Sequence, residues 1–465
     1  MLRSAVTETA LADDAPASWH HYRRLIVRLG LLAAPIAAEN FLHTFVGLTD
    51  TYLANQVDTQ AAAAIAPMAY ILWFVGIATN SVGTGSTALI SRATGARDKR
   101  TARAALGQSF LLAAGVGVVL GLLFVGLSGP AGGWFGLSDP KTQAYISTYL
   151  WIVGLGVPFA VFAFVGNSCL RGAGDTLTPM IAMFVIDAAN LVLSFAFVYG
   201  WGPVPALGWA GIAIGTALAY GLGAFVVAFA LLGGHGASGL KLIPHRLRPH
   251  WHTTRRILRV GVPSLFEGVS FWGANFVVLV LVGTLGNSDT AAHNVVVRIE
   301  AFSFMTGFAL STAAATMVGQ ALGRRDPDDA KRSGTLAFVL GAVFMGLCGV
   351  VFLLIPRPIC ALIAADDAIA DAAAGALQMC AAAQLGFCAA MVFGGSLRGA
   401  GDTTAVMIRN LGAAFVVRLG GTLIVVYGLN GGLTAVWVTF ALDQWARGIL
   451  LAVRFYRGRW TQIEV

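Results

Sequence analysis

Leu170-Arg171-Gly172-Ala173-Gly174-Asp175-Thr176 and Leu397-Arg398-Gly399-Ala400-Gly401-Asp402-Thr403 are the same seven residues, 227 positions apart. They do not stand alone. Pro35 and Glu39 recur as Pro263 and Glu267, Gly95-Ala96-Arg97-Asp98 as Gly323-Arg324-Arg325-Asp326, and Tyr199-Gly200 as Tyr427-Gly428, each 228 residues later. Matches in one register define a duplicated unit, and the apolar runs around them define its contents. Those runs predict about twelve spans, at 28–54, 60–90, 104–128, 143–169, 177–199, 207–232, 257–284, 289–321, 333–356, 368–396, 404–427 and 431–453. Each is near or above the ~20 residues a helix needs to cross hydrocarbon. Lipid offers backbone groups no partner, so the runs must be helices. Six is even, so both copies share one orientation, as in transporters built from parallel repeats. The expected fold is an all-α polytopic membrane protein. An amino lobe (25–232) and a carboxy lobe (257–453) are joined by a basic linker (233–256) and flanked by cytoplasmic tails at 1–24 and 454–465.

Composition agrees. The 465 residues are 57% hydrophobic and 11% charged, against about 25% charged in soluble chains. Five cysteines (Cys169, Cys348, Cys360, Cys380 and Cys388) have no metal-binding spacing, and their odd number argues against a disulfide framework. They read as small apolar packing residues, and no metal site is expected.

The formal charge of +8 is explained by where it sits. Arg3, Arg23, Arg24 and Arg28 precede or open the first span. Arg92, Arg97, Lys99, Arg100 and Arg103 follow the second, and Lys241, Arg246, Arg248, Arg255, Arg256 and Arg259 fill the middle loop. Arg324, Arg325, Lys331 and Arg332 follow the eighth, whereas the opposite loops carry only Lys141 and Arg357. Positive loops stay inside, so both termini are expected in the cytoplasm and no nucleic-acid partner is needed. Residues 1–24 include Glu8, Asp13 and Asp14 and lack the apolar core of a signal peptide. The expected location is the bacterial inner (plasma) membrane.

The two Arg-Gly-Ala-Gly-Asp-Thr runs fall between the fourth and fifth and the tenth and eleventh spans. Gly172 and Gly174, like Gly399 and Gly401, suit a tight corner, with Asp175 and Asp402 capping the next helix. Arg171 and Arg398 are expected to bind the preceding helix's carbonyl end or a nearby Asp. There is no G-x-x-x-x-G-K-[ST] loop, so ATP is not expected to drive the chain. No nucleophile–base or metal constellation is present either, so it does not read as an enzyme.

At this point the chain resembles the multidrug and toxic compound extrusion (MATE) family over about 25–455. The carriers are Pro35 with Gly47-Leu48-Thr49-Asp50-Thr51 after it, the doubled Leu-Arg-Gly-Ala-Gly-Asp-Thr, Gly261-Val262-Pro263 leading into Phe266-Glu267, and Val318-Gly319-Gln320-Ala321-Leu322-Gly323. The resemblance implies two lobes forming a V. It also implies export of small organic, often cationic, compounds against an inward flow of H+ or Na+. No cofactor and no obligatory protein partner are implied.

Ionisable groups inside spans are costly and therefore functional candidates. Glu39, His43 and Asp50, four and seven residues apart, share one face of the first helix, where Pro35 and Gly47 allow a bend. Desolvation there works against a charged carboxylate and brings it within reach of a proton gradient. Asp187, Asn190 and Ser194 share a face of the fifth span. Arg298 and Glu300 in the eighth point apart, so each needs another partner, an acid of the first or seventh helix being one option. His293 and Asn294 precede them as cavity or gate candidates. Arg418 occupies the repeat position of Asn190, and Asp443 with Arg447 reads as a structural pair. The resemblance adds that Asp50 matches the family's first-helix aspartate, Asn190 its amino-lobe amide and Glu267 its carboxy-lobe glutamate. Ser194 replaces a second carboxylate and Phe387 an aspartate of sodium-coupled members, which favours protons. Phe41, Phe45, Trp73, Phe74, Trp272 and Phe302 are candidates for an apolar substrate pocket. The expected function is antiport by alternating access. The rivals are a flippase for lipid-linked saccharides and a channel or receptor without coupled exchange.

Overall fold

The computed structural model describes residues 19–134, 139–202, 204–234, 236, 239–243 and 247–463. Among them are twelve helices long and apolar enough to cross a membrane. They are α1 (Trp19–Val57), α2 (Thr59–Gly95), α3 (Lys99–Trp134), α4 (Pro140–Gly172), α5 (Leu177–Tyr199), α6 (Trp209–Gly233), α7 (Trp251–Gly283), α8 (Asn287–Gly323), α9 (Pro327–Leu354), α10 (Asp367–Gly399), α11 (Thr403–Gly428) and α12 (Leu433–Tyr456). Each expected span falls on one of them. The helices overrun the apolar runs because polar caps hold their outer turns. Asp98 accepts from the amides of Arg100 and Thr101 at 3.0 Å each, and Asp326 from that of Asp329 at 2.8 Å.

The duplication is visible in the backbone. Arg97 and Arg325, equivalent positions, both adopt the left-handed conformation, with φ of 57° and 63°. Gly174 and Gly401 do so at φ 92° and 86°, which is the physical need for glycine in each Arg-Gly-Ala-Gly-Asp-Thr corner.

The described parts of both tails carry structure. Arg3, Glu8, Asp13 and Asp14 lie outside the described residues, as does Arg246 of the linker. However, α1 already begins at Trp19, inside the segment read as tail, and His21 Nε2 lies 3.2 Å from Asp329. At the other end Arg459–Gln462 form a short 3-10 turn. Trp460 is fully buried there, stacked 5.0 Å from Phe455 and donating to its carbonyl at 2.6 Å. An aromatic anchor of that size converts a tail into part of the carboxy lobe.

The lobes meet along the end that carries the basic loops. Arg92 of α2 donates to the carbonyls of Ile463 at 2.6 Å and Ala400 at 3.0 Å. Gln320 of α8 donates to the Gly172 carbonyl at 3.2 Å, and Thr316 to that of Arg171 at 3.1 Å. Further along, Ser81 donates to the Gly261 carbonyl at 2.8 Å. Ring contacts then close the seam: Phe41 with Phe302 at 5.7 Å and Trp73 with Trp272 at 3.8 Å. Beside Phe41, Asn40 donates to the Met305 carbonyl at 3.4 Å, and one turn further along α1 the Thr44 hydroxyl reaches Met305 Sδ at 3.9 Å.

Helix α1 belongs to both lobes. Its first half (Leu25, Leu29, Leu32, Ala33 and Ile36) packs with Ala309, Ala313 and Met345 of the carboxy lobe. Its second half packs through Val46 on Met183, Ile186 and Ala219 of the amino lobe. Pro35, between the two halves, removes one main-chain hydrogen bond.

Candidate functional site

The second half of α1 carries Asp50 into the amino lobe, where it is 4% exposed. Three neighbouring helices each supply a neutral donor. Tyr149 of α4 donates its hydroxyl at 3.2 Å, Thr216 of α6 lies 2.9 Å from Oδ2, and Asn190 of α5 donates from Nδ2 at 3.3 Å to Oδ1. Asn190 also donates to Thr216 Oγ1 at 2.9 Å and to Ser194 Oγ at 3.3 Å, so the donors brace one another. Gly215 lets α6 approach so closely that any side chain there would overlap Ser194. No Arg or Lys pairs with Asp50 among the described residues. The carboxylate is therefore hydrogen-bonded but has no counter-charge.

Glu39, one face with Asp50 in sequence, has different surroundings. Arg171 donates to it at 2.6 Å and Asn167 at 3.4 Å. The carboxy lobe repeats the pair: Arg398 donates to Glu267 at 2.5 Å, with Asn410 at 2.6 Å. This corrects the reading of Arg171 and Arg398 as residues that hold their own corners. Each reaches from the end of α4 or α10 to the first helix of its lobe. Asp175 does cap α5, accepting from the Thr178 amide at 3.1 Å, but Asp402 instead binds Arg454 Nε of α12 at 2.7 Å.

In the carboxy lobe the equivalent of Asp50 is Val278. Arg418, equivalent to Asn190, lies in a π-helical stretch of α11, Ala414–Leu419. Its guanidinium sits over the Phe440 ring at 4.7 Å and 4.0 Å from Asp443 Oδ2. Arg447 takes both oxygens of that carboxylate, at 2.8 and 2.7 Å, as the pair expected from spacing. Glu300 is the further acid whose charge acts on Arg418. The His293 ring lies 5.5 Å from Trp437. Phe387 packs among Phe304 and Phe440, at 5.9 and 6.2 Å.

One expectation fails, and three further candidates stand exposed. Asp187 shares a helix with Asn190, but its oxygens are buried and make no hydrogen bond among the described residues, so it does not join the Asp50 network. His43, a cavity or gate candidate, is exposed, its ring 5.5 Å from Phe164. Arg298 and Asn294 are exposed, and among the described residues Arg298 pairs with no acid of α1 or α7. Conversely, Tyr149, Thr216, Asn167 and Asn410 were not singled out. Thr216 had a usable signal, being one of two hydroxyl groups in a span otherwise almost wholly apolar.

A doubled six-helix bundle with buried polar groups at equivalent places in each half is the architecture of a membrane transporter. The model of the MatE family matches residues 35–199 and again 263–424, once per lobe. The chain belongs to that family. A probable multidrug resistance protein NorM from Thermotoga maritima is 26% identical over 435 residues, covering 93% of each chain. The multidrug resistance protein MdtK of Edwardsiella ictaluri is 26% identical over 471 residues, covering 96% of each. A solved structure described as the outward-facing conformation of a multidrug resistance MATE family transporter superposes with a TM-score of 0.84 at 22% identity, over 94% of this chain and 96% of that one.

Proposed function

We propose that the chain exports small organic compounds, cationic ones among them, in exchange for protons that enter through Asp50. The observation that carries this is the Asp50 environment: a buried carboxylate with three neutral donors and no counter-ion. Its ionised form carries an uncompensated charge, which one proton neutralises. Glu39 and Glu267 lack that property, because Arg171 and Arg398 already neutralise them. The same geometry disfavours sodium. A sodium ion needs lone pairs aimed at it, whereas Tyr149, Asn190 and Thr216 aim hydrogens at the carboxylate.

Coupling follows from α1. One helix joins the Asp50 cage to the seam, so a change of charge at Asp50 can favour one facing over the other, as exchange requires. With the basic loops on the cytoplasmic side, the seam closes the cytoplasmic end and the lobes face outward. The relatives' names, multidrug resistance proteins, support the substrate class.

The test is transport of a fluorescent cationic dye in proteoliposomes with proton and sodium gradients imposed separately. A proton gradient alone is expected to drive export. Export driven by sodium alone, with pH clamped equal on both sides, would overturn the assignment.

A further inference from the structure

We infer that the carboxy lobe binds a small monovalent anion, halide in size, at the place where the amino lobe keeps the Asp50 carboxylate. The argument rests on the repeat. In the amino lobe, donors from several helices converge on a carboxylate tethered to the first helix. In the carboxy lobe the first helix offers Val278, and a small cavity of about 10 Å³ opens beside it, bounded also by Arg418, Trp437, His293 and Thr422. That is about the room one water-sized species needs, and the larger halide requires the surrounding side chains to give way.

The donors are still there, and stronger. Arg418 is 7% exposed and Trp437 2% exposed. Nε and Nη1 of Arg418, the indole N–H of Trp437 and Nδ1 of His293 are buried without a hydrogen-bond partner among the described residues. Buried donors ordinarily find acceptors; a halide accepts from the guanidinium and the indole at once, and from His293 in the tautomer that carries its hydrogen on Nδ1. The charges point the same way. Arg447 contacts both oxygens of Asp443 at 2.8 and 2.7 Å, whereas Arg418 reaches that carboxylate only at 4.0 Å, beyond hydrogen-bond distance. A water molecule would satisfy donors but not the Arg418 charge. The other negative group within reach is Glu300, so ionised Glu300 and the anion are rivals for one guanidinium. Replacing a tethered carboxylate by a free anion exchanges Val278 for Asp50 and Arg418 for Asn190, while the supporting helices stay in register.

The experiment uses the full chain in detergent, melted in sodium chloride, sodium bromide and sodium gluconate at equal ionic strength. Halide is expected to raise the melting temperature by about 2 °C or more, saturating with concentration. Two variants separate a site from a general salt effect. Trp437→Phe removes one donor and is expected to weaken the response. Val278→Asp recreates the amino-lobe arrangement, and is expected to abolish the halide response while matching the wild-type stability in halide. Crystals grown in bromide should show its anomalous signal in the cavity. Equal melting in gluconate and chloride, an undiminished halide response in Val278→Asp, or bromide signal absent from the cavity would each overturn the site.

Discussion

In the amino lobe the first helix brings a carboxylate, Asp50, to donors from α4, α5 and α6. In the carboxy lobe the helix in the same place brings Val278, and α11 brings a guanidinium, Arg418, where α5 has the Asn190 amide. Elsewhere the lobes agree. Each ties its first helix to its Arg-Gly-Ala-Gly-Asp-Thr corner through a Glu–Arg pair, and each corner turns on a left-handed glycine. A duplicated fold is its own control. Features present in both copies report on architecture, and features present in one report on a specialised task. By that criterion the Glu–Arg pairs are framework, and the difference between Asp50 and Arg418 is function.

The sharpest way to break the comparison is to make the lobes alike at their point of difference. Asp50→Asn removes the uncompensated acid caged by α4, α5 and α6 while keeping its shape and its bonds to Thr216 and Asn190. Proton-driven dye export in vesicles is expected to fall to the protein-free baseline, with the melting temperature held or raised, since a buried charge without a partner is itself a cost. Export surviving this change would remove Asp50 from the mechanism.

The next effect tests the shared framework. Glu39→Gln leaves Arg171 buried without its acid, and Glu267→Gln does the same to Arg398. Breaking a buried pair costs about 3 kcal/mol or more. The side chains of the first pair are 18% and 7% exposed, and those of the second 26% and 12%. Solvent screens the second more, so Glu39→Gln should lower the melting temperature further than Glu267→Gln. Double-mutant cycles with Arg171→Met and Arg398→Met should give coupling in both lobes. Coupling in only one lobe would end the claim that the pairs are common framework.

What the sequence revealed, and what it hid, divides along the same line. The twelve spans and the repeat were legible because lipid imposes one rule on every residue of a span, so hydropathy and a fixed offset suffice. Asp50 was legible as a charge in hydrocarbon. Its cage was not, because Tyr149 and Thr216 lie 99 and 166 residues away from it and are ordinary residues until the fold brings them together. Arg171 was misread for a related reason. Its sequence neighbours advertise a turn, and only the close approach of α1 to the end of α4 shows that its charge belongs to Glu39. Asp187 failed in the opposite sense. Helical spacing put it on the face of Asn190, but one shared face does not place two side chains in one network.

The smallest effect asks whether the lobes differ in chemistry or merely in packing. Ser194 and Thr422 are equivalent hydroxyls on α5 and α11. Ser194 accepts from Asn190 at 3.3 Å, and Thr422 lies 3.0 Å from Thr439 while donating to the Arg418 carbonyl at 2.7 Å. Alanine at either position removes one modest bond, worth about 1 kcal/mol, so both variants should fold with slightly lower melting temperatures. Transport should separate them. In Ser194→Ala the amide that steadies the Asp50 carboxylate loses one of its three partners, so the pH dependence of export should move measurably. Thr422→Ala touches no group that binds the proton, so its pH profile should overlay the wild type. A shifted profile in Thr422→Ala with an unmoved one in Ser194→Ala would reverse the assignment of the proton to the amino lobe.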